Sequence, residues 1–173
     1  MRRAALMVLA AAAVGACARP RTSAIAYVPP LDARDTTAEG VVAVVGVDPV
    51  PTVLLQAGGS GLTLLGPLVP ELARLAGARV SVRGASATAP VPSGGSRAAI
   101  AVRTYTIREI AGGVPMVGLL TVDSARTIRV GGVRLANAPP GLNELAGAKV
   151  WVVGPRQEDG ALAVTAYGVI AMP

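Results

Sequence analysis

Along most of this chain, short stretches rich in Val, Leu and Ala, several of them alternating with polar residues, are separated by Gly and Pro. In the stretch RVSVRG, residues 79–84, Val80 and Val82 alternate with two Arg and one Ser. A period of two with β-branched residues on one face is typical of a half-buried strand. Five strands are predicted in this half of the chain: Val41–Val47, Val53–Gln56, Leu62–Leu65, a strand starting at Arg79, and Ala99–Ile107.

A ten-residue phrase is written twice, as LAGARVSVRG at residues 75–84 and as LAGAKVWVVG at residues 145–154. The likeness continues beyond the phrase, because IAVRTY at Ile100–Tyr105 resembles LAVTAY at Leu162–Tyr167. Changes in spacing between matched segments fall in Gly- or Pro-bearing loops, where insertions are tolerated best. We therefore interpret the chain as a tandem duplication. Its two copies are residues 40–112 and 113–173.

The second copy repeats the elements of the first. Its predicted strands are Val117–Val122, Ile128–Val130, Val133–Leu135, Lys149–Val153 and Leu162–Ile170. Between the third and fourth strands a short helix is predicted, over Pro70–Leu75 and Pro140–Leu145, with Gly77 and Gly147 placed to end it. Gly131-Gly132 suits a two-residue hairpin, because such turns need positive φ angles.

The resulting order, three strands, a helix and two strands, resembles that of the OB-fold, a five-stranded small barrel. The resemblance covers residues 40–173 and rests on element order, and other small barrels share much of this pattern. It implies a mainly β protein of two tandem five-stranded OB-like barrels, each with a short helix between strands three and four. Since domains of this size are marginally stable alone, we expect the copies to pack against each other.

The first residues, MRRAALMVLAAAAVGAC, follow a different pattern. Arg2 and Arg3 precede the uncharged run Ala4–Val14, which is typical of a secretory signal and too short to span a bilayer as a helix. The sequence VGAC that ends at Cys17, the only Cys of the chain, resembles the lipobox of bacterial lipoproteins.

This resemblance implies cleavage between Ala16 and Cys17, acylation of the Cys17 thiol, and a mature chain held on the lipid bilayer of the bacterial cell envelope. Two or three acyl chains suffice for stable anchoring. Ala18, where an Asp would retain the protein at the inner membrane, implies the outer membrane with the protein facing the periplasm. Residues 1–16 are then a signal peptide, and residues 17–39 the lipidated Cys and a flexible tether.

Composition narrows the chemistry. The chain has no His and one Cys, which excludes a His-based general base, a Cys/His pair, a zinc cluster and an internal disulfide. No carboxylates lie at a spacing that compels an acid/base interpretation, and Gly58–Gly61 lacks the Lys of a phosphate loop. We therefore expect no enzyme activity, no catalytic residues, no cofactor and no metal.

The net charge of +6 raises the possibility of nucleic-acid binding. Heavy use of Ala, Gly, Val, Pro and Arg together indicates compositional bias instead, so we do not expect nucleic acid as a partner. Arg129 and Arg134 nevertheless face each other if Val130 pairs with Val133, which predicts either an anion site or two solvated guanidinium groups helped by a carboxylate such as Asp123. We favour the second interpretation.

Two further features are asymmetric between the copies. Trp151, which stands where the first copy has Ser81, is predicted either to stack on a sugar or base or to pack between the copies, and we favour packing. The segment Ala85–Ala98, longer than its counterpart, has the composition of a flexible loop. The sequence thus predicts a non-enzymatic envelope lipoprotein with a binding or structural role toward another envelope protein or glycan. The alternative is an anion, oligosaccharide or nucleic-acid binder that uses Arg129, Arg134 and Trp151.

Overall fold

A computed structural model describes residues 35–46, 51–90 and 94–173. This part of the chain is mainly β, with two sheets and one short α-helix. In chain order, the strands of the first sheet and the helix among them are β1 (Asp35–Val45), β2 (Thr52–Ala57), β3 (Ser60–Leu65), α1 (Val69–Ala73), β4 (Arg79–Pro90) and β5 (Ser96–Glu109). Those of the second are β6 (Met116–Val122), β7 (Ile128–Val130), β8 (Val133–Ala136), the 3-10 helix Leu142–Leu145, β9 (Lys149–Val153), β10 (Leu162–Ala163) and β11 (Ala166–Ala171).

The first sheet is a closed barrel with the strand order β1-β2-β3-β5-β4, in which β4 pairs back with β1. Only β3 and β5 pair in parallel; the other neighbours are antiparallel. Alternate residues of each strand fill the interior, as the period of two predicts. The core is aliphatic, and its most deeply buried members include Val42, Leu55, Leu72, Val80, Val82 and Ile100.

The wall of this barrel starts earlier than the sequence predicts. β1 begins at Asp35, so residues 35–39, which we expected to belong to the tether, pair with β4. Asp35 is fixed there because its carboxylate lies 2.6 Å from Arg103 and 3.4 Å from Arg83. The predicted signal peptide, Ala16, Cys17 and the rest of the tether lie outside the described residues. Within the described residues, no helix has the length and apolarity needed to cross a membrane.

The segment Ala85–Ala98 is not simply the flexible loop that its composition predicts. β4 and β5 stay paired through this segment, from Ala85 with Ala101 out to Pro90 with Ser96, and from Thr88 with Ala98 outward they form a two-stranded ribbon. The small residues of this segment leave little to pack, but main-chain pairing needs no large side chains. We name this extension of β4 and β5 the arm.

The second sheet has six strands in the order β10-β8-β7-β6-β9-β11, so the expectation of five strands is wrong for this copy. The predicted strand Leu162–Ile170 is broken into β10, which runs parallel to β8, and β11, which runs antiparallel to β9. Its break is fixed by hydrogen bonds: Thr165 donates its N–H and its hydroxyl to the Val153 carbonyl, each at 2.9 Å. The Val164 N–H donates to the Ala136 carbonyl at 3.1 Å.

The repeated phrase has the same geometry in both copies. Gly77 and Gly147 both have φ of 86°, which a residue with a side chain rarely adopts. Each donates its N–H at 2.8 Å to a residue of the first strand of its copy, Val42 or Leu120. The phrase therefore ends the helical turn and fastens it to the first strand, and the prediction for both glycines is confirmed.

The last glycine of the phrase allows a close approach of two strands. A Cβ at Gly84 would overlap the carbonyl oxygen of Ala101, and a Cβ at Gly154 would overlap that of Ala163. Both carbonyls belong to the last strand region of their copy. The phrase thus ends, in both copies, where main chain packs on main chain.

Candidate functional site

Arg129 and Arg134 lie directly opposite each other on β7 and β8, as the sequence predicts. The turn between them has positive φ at both Gly131 (55°) and Gly132 (85°). Arg134 forms a salt bridge with Asp159, and the guanidinium of Arg129 donates to the Gly132 carbonyl at 3.3 Å.

Asp123, which we named as an example of a helping carboxylate, does not take that role. Its carboxylate accepts the Thr127 N–H at 2.8 Å and so belongs to the turn between β6 and β7. The facing position of the first copy holds Leu54 opposite Thr63. The arginine pair is therefore specific to the second copy, and Asp159 offsets part of its charge.

Trp151 lies on the outer face of β9, between Val117 of β6 and Gly168 of β11. It packs against the core cluster that fills the first barrel, a cluster to which Ile170 of β11 also belongs. A Cβ at Gly168 would meet the indole nitrogen at 2.6 Å, so the absent side chain makes room for the ring. The indole is thus engaged in packing between the copies and is not brought into one cluster with the arginine pair.

We call the contact between the two copies around Trp151 the junction. Sequence reasoning missed its polar centre. Lys149 of β9 donates from Nζ to Oε2 of Glu71 in α1 at 2.6 Å, and Tyr105 of β5 donates its hydroxyl to the same oxygen at 2.5 Å. The ammonium also lies 5.0 Å from the centre of the Tyr105 ring, within the range of a cation–π interaction. Nearby, Arg74 donates to the Ile170 carbonyl at 3.3 Å.

The network shifts the protonation of both acids. Burial works to raise the pKa of Glu71, but the hydrogen bonds from Lys149 and Tyr105 and the charge of Lys149 outweigh it and hold this pKa below its usual 4.5. Burial raises the pKa of Tyr105, and the Glu71 carboxylate raises it further. Glu71 is thus held as a carboxylate and Tyr105 as a neutral phenol.

A signal for this network does exist in the sequence, as a difference between the copies. Lys149, the only Lys of the chain, replaces Arg79 of the first copy, and Glu71 is replaced by Gly141 in the second. Neither difference alone indicates a contact between the copies. Only the fold shows that Lys149 and Glu71 meet.

An apolar strip lies beside this junction on the outside of the second sheet. It consists of Val114, Val117 and Leu119, whose exposed fractions are 81%, 38% and 60%. On the sheet, Val117 is opposite Trp151 and Leu119 is opposite Lys149. A cleft of about 250 Å³ between the copies opens next to Val117, with Tyr105 and Lys149 in its wall.

The groups at this junction differ in how open they are to an external ligand. The carboxylate of Glu71 is already occupied by two donors, whereas the apolar strip is open to solvent. In the described ranges, no group of three or more Cys, Asp or Glu side chains could hold a metal ion. Comparison of the chain with protein-family models, curated proteins and solved structures gives no significant match.

Proposed function

We propose that this chain is a lipid-anchored, non-enzymatic protein of the bacterial cell envelope that binds another envelope protein through two OB-like barrels. The motif at Cys17 supports the anchor and the location, most simply the periplasmic face of the outer membrane. The junction supports a single rigid binding unit, because Trp151 and the Lys149–Glu71 ion pair connect the copies.

The OB-like assignment rests on topology. In the first copy, the order β1-β2-β3-β5-β4 with a helix between β3 and β4 supports this assignment. The second copy has the same order if β10 and β11 count as the two halves of its fifth strand. β10 and β11 are the two ends of that sheet, and they are joined by the chain at Val164 and Thr165 instead of by strand pairing.

The apolar strip is the observation that carries the binding role. Large aliphatic side chains that remain exposed side by side mark an interaction surface when they are contiguous. Val117 and Leu119 are two residues apart and lie on the same face of β6, and Val114 stands just before that strand. Their position beside the junction favours a partner that contacts both copies.

Site-specific photocrosslinking in cells tests this role. A benzophenone amino acid at position 119 should give protein adducts, and the same group at Glu158, an exposed residue outside the strip, should not. Equal adducts at the two positions, or none at either, would contradict the proposal. The anchor has a separate test: Cys17→Ser should abolish labelling with radioactive palmitate and release the protein from membranes.

The second candidate function is anion, oligosaccharide or nucleic-acid binding at Arg129 and Arg134. It is favoured by one observation, that Arg129 forms no salt bridge with any described residue. Retention on heparin that weakens steeply with salt and is lost in the double variant Arg129→Ala, Arg134→Ala would support this candidate. Retention that the double variant leaves unchanged would eliminate it.

A further inference from the structure

The wall of the first barrel has a gap between β3 and β5. These strands pair over three residues only, from Thr63 with Ala99 to Leu65 with Ala101. Below that point β3 continues at residues 60–62 and pairs only with β2, while β5 continues at residues 96–98 and pairs only with β4. Among the described residues, nothing pairs with the facing edges of these two segments.

The edge of β3 presents its main chain to this gap at Gly61. Ala57 and Ser60 flank the two-residue turn and form a pair, and pairs alternate along an antiparallel ladder between hydrogen-bonded and non-hydrogen-bonded. Gly61, next along the strand, is in a non-hydrogen-bonded pair with Gln56. Its N–H and carbonyl therefore point away from β2, toward β5.

A groove of about 600 Å³ lies at this gap, and side chains on both of its sides can contact a ligand. Leu54 gives it an apolar floor, while Gln56 and Ser60 line it with polar groups. Arg97, from the arm, forms the opposite wall. Because Gly61 has no side chain, the space between β3 and Arg97 stays open.

The charge of Arg97 is not compensated within the described part of the chain. Each described carboxylate of the first barrel lies in a salt bridge with another cation: Asp35 with Arg83 and Arg103, Glu39 with Arg108, Glu71 with Lys149, and Glu109 with Arg79. Arg97 is therefore the cation that an external carboxylate can pair with in this groove.

We infer that the groove binds an extended, acidic peptide segment of a protein partner, which adds main-chain hydrogen bonds at Gly61 and places a carboxylate on Arg97. Unpaired strand edges select an extended peptide, since they can continue the sheet with it. None of the lining residues is aromatic, so the groove lacks the stacking face that single-stranded nucleic acid uses. This inference rests on the proposed protein-binding role. It adds a second contact site for a protein partner, separate from the apolar strip.

Fluorescence anisotropy with two labelled heptapeptides, Gly-Val-Glu-Val-Glu-Val-Gly and its counterpart with Lys for Glu, tests the inference on the full lipidated chain in detergent micelles. The acidic peptide should bind and the basic one should not. Arg97→Ala should weaken binding of the acidic peptide about tenfold or more, the value of a charge-assisted hydrogen bond, and Arg97→Glu should reverse the preference. Equal binding of both peptides, or an unchanged affinity in Arg97→Ala, would overturn the inference.

Gly61→Val tests the groove itself. A Cβ at Gly61 makes only an ordinary contact, 3.6 Å from Leu54, so the variant should fold and lose the acidic peptide. Thr37→Val, at an exposed strand position outside the groove, is the matched control and should bind as the parent does. By NMR the peptide should slow exchange of the Gly61 amide; unchanged exchange, or stronger binding of an oligothymidylate than of the acidic peptide, contradicts a peptide groove. Crosslinking at Leu119 and release by Cys17→Ser are measured independently. If the acidic peptide does not bind, those two experiments still test the proposed function.

Discussion

Nζ of Lys149 lies 2.6 Å from Oε2 of Glu71, and this ion pair joins an element of the second copy to the helix of the first. Tyr105 donates to the same oxygen, so one carboxylate connects α1, β5 and β9. The pair is partly shielded from water, with 35% of the Lys149 side chain and 22% of the Glu71 side chain exposed. It is therefore worth more than an isolated surface pair.

Glu71→Gln should lower the free energy of unfolding at pH 7 by about 1–2 kcal/mol, because the neutral amide loses a charge-assisted hydrogen bond. Since the folded pKa of Glu71 is below 4.5, its contribution is present above the unfolded pKa and disappears as the pH falls through the folded value. Urea unfolding followed by circular dichroism at pH 7 and pH 3 should show the difference between parent and variant shrinking in acid. A difference that stays constant over this range would contradict the assignment. Glu109→Gln, which breaks the exposed salt bridge to Arg79, is the control and should change stability by less than about 0.5 kcal/mol.

Tyr105 should resist ionisation, because burial and the neighbouring carboxylate raise its pKa above the usual 10.0. Alkaline titration followed by phenolate absorbance should show a late phase that is missing in Tyr105→Phe. As its folded pKa is raised, the stability that this phenol contributes is complete below pH 10 and is lost as the pH rises through the folded value. A titration curve in which Tyr105→Phe removes the earliest phase would show that the phenol is not held by Glu71.

Gly84→Ala and Gly154→Ala should each destabilise the protein by about 3 kcal/mol or more, because the added methyl group overlaps a main-chain carbonyl of the neighbouring strand. Thermal unfolding measures this loss. The control is Gly61→Ala, also in a strand, whose Cβ would lie 3.6 Å from Leu54 and fit without displacement. If the two variants were no less stable than the control, the close approach of these strands would be wrong.

Arg129→Thr should raise the free energy of unfolding by about 0.5 kcal/mol, because it removes a like charge that faces Arg134 directly. The gain should be larger in an Asp159→Asn background, where Arg134 has lost its carboxylate partner. A double-mutant cycle measured by chemical denaturation gives this coupling. Additive effects would mean that the guanidinium groups do not sense each other.

Elements fixed by local patterns are those that the sequence predicts well. Gly131-Gly132 forms the expected hairpin, and Gly77 and Gly147 end their helical turns, because a positive φ is a property of a few adjacent residues. The alternation at Val80 and Val82 predicts a buried face that the barrel does bury.

Features fixed by distant contacts are those that it misses. The run Leu162–Ile170 has the pattern of one strand, and it breaks because Thr165 bonds twice to the Val153 carbonyl of another strand. The arm forms although Ala85–Ala98 has a loop-like composition, since its pairing depends on two strands meeting. Likewise, the charge of Arg97 becomes informative only when every described carboxylate of the first barrel is seen to have another cation.

The junction between the copies carries its own reporters. Lys149 holds the only side-chain amine of the protein and Trp151 the only indole, and β9 brings both to the surface that faces the first barrel. Indole emission and the reactivity of the lysine side chain thus report on one place in the molecule without any engineered label. A partner, a change of pH or a substitution that separates the two copies would be visible in the unmodified protein as a shift in both signals.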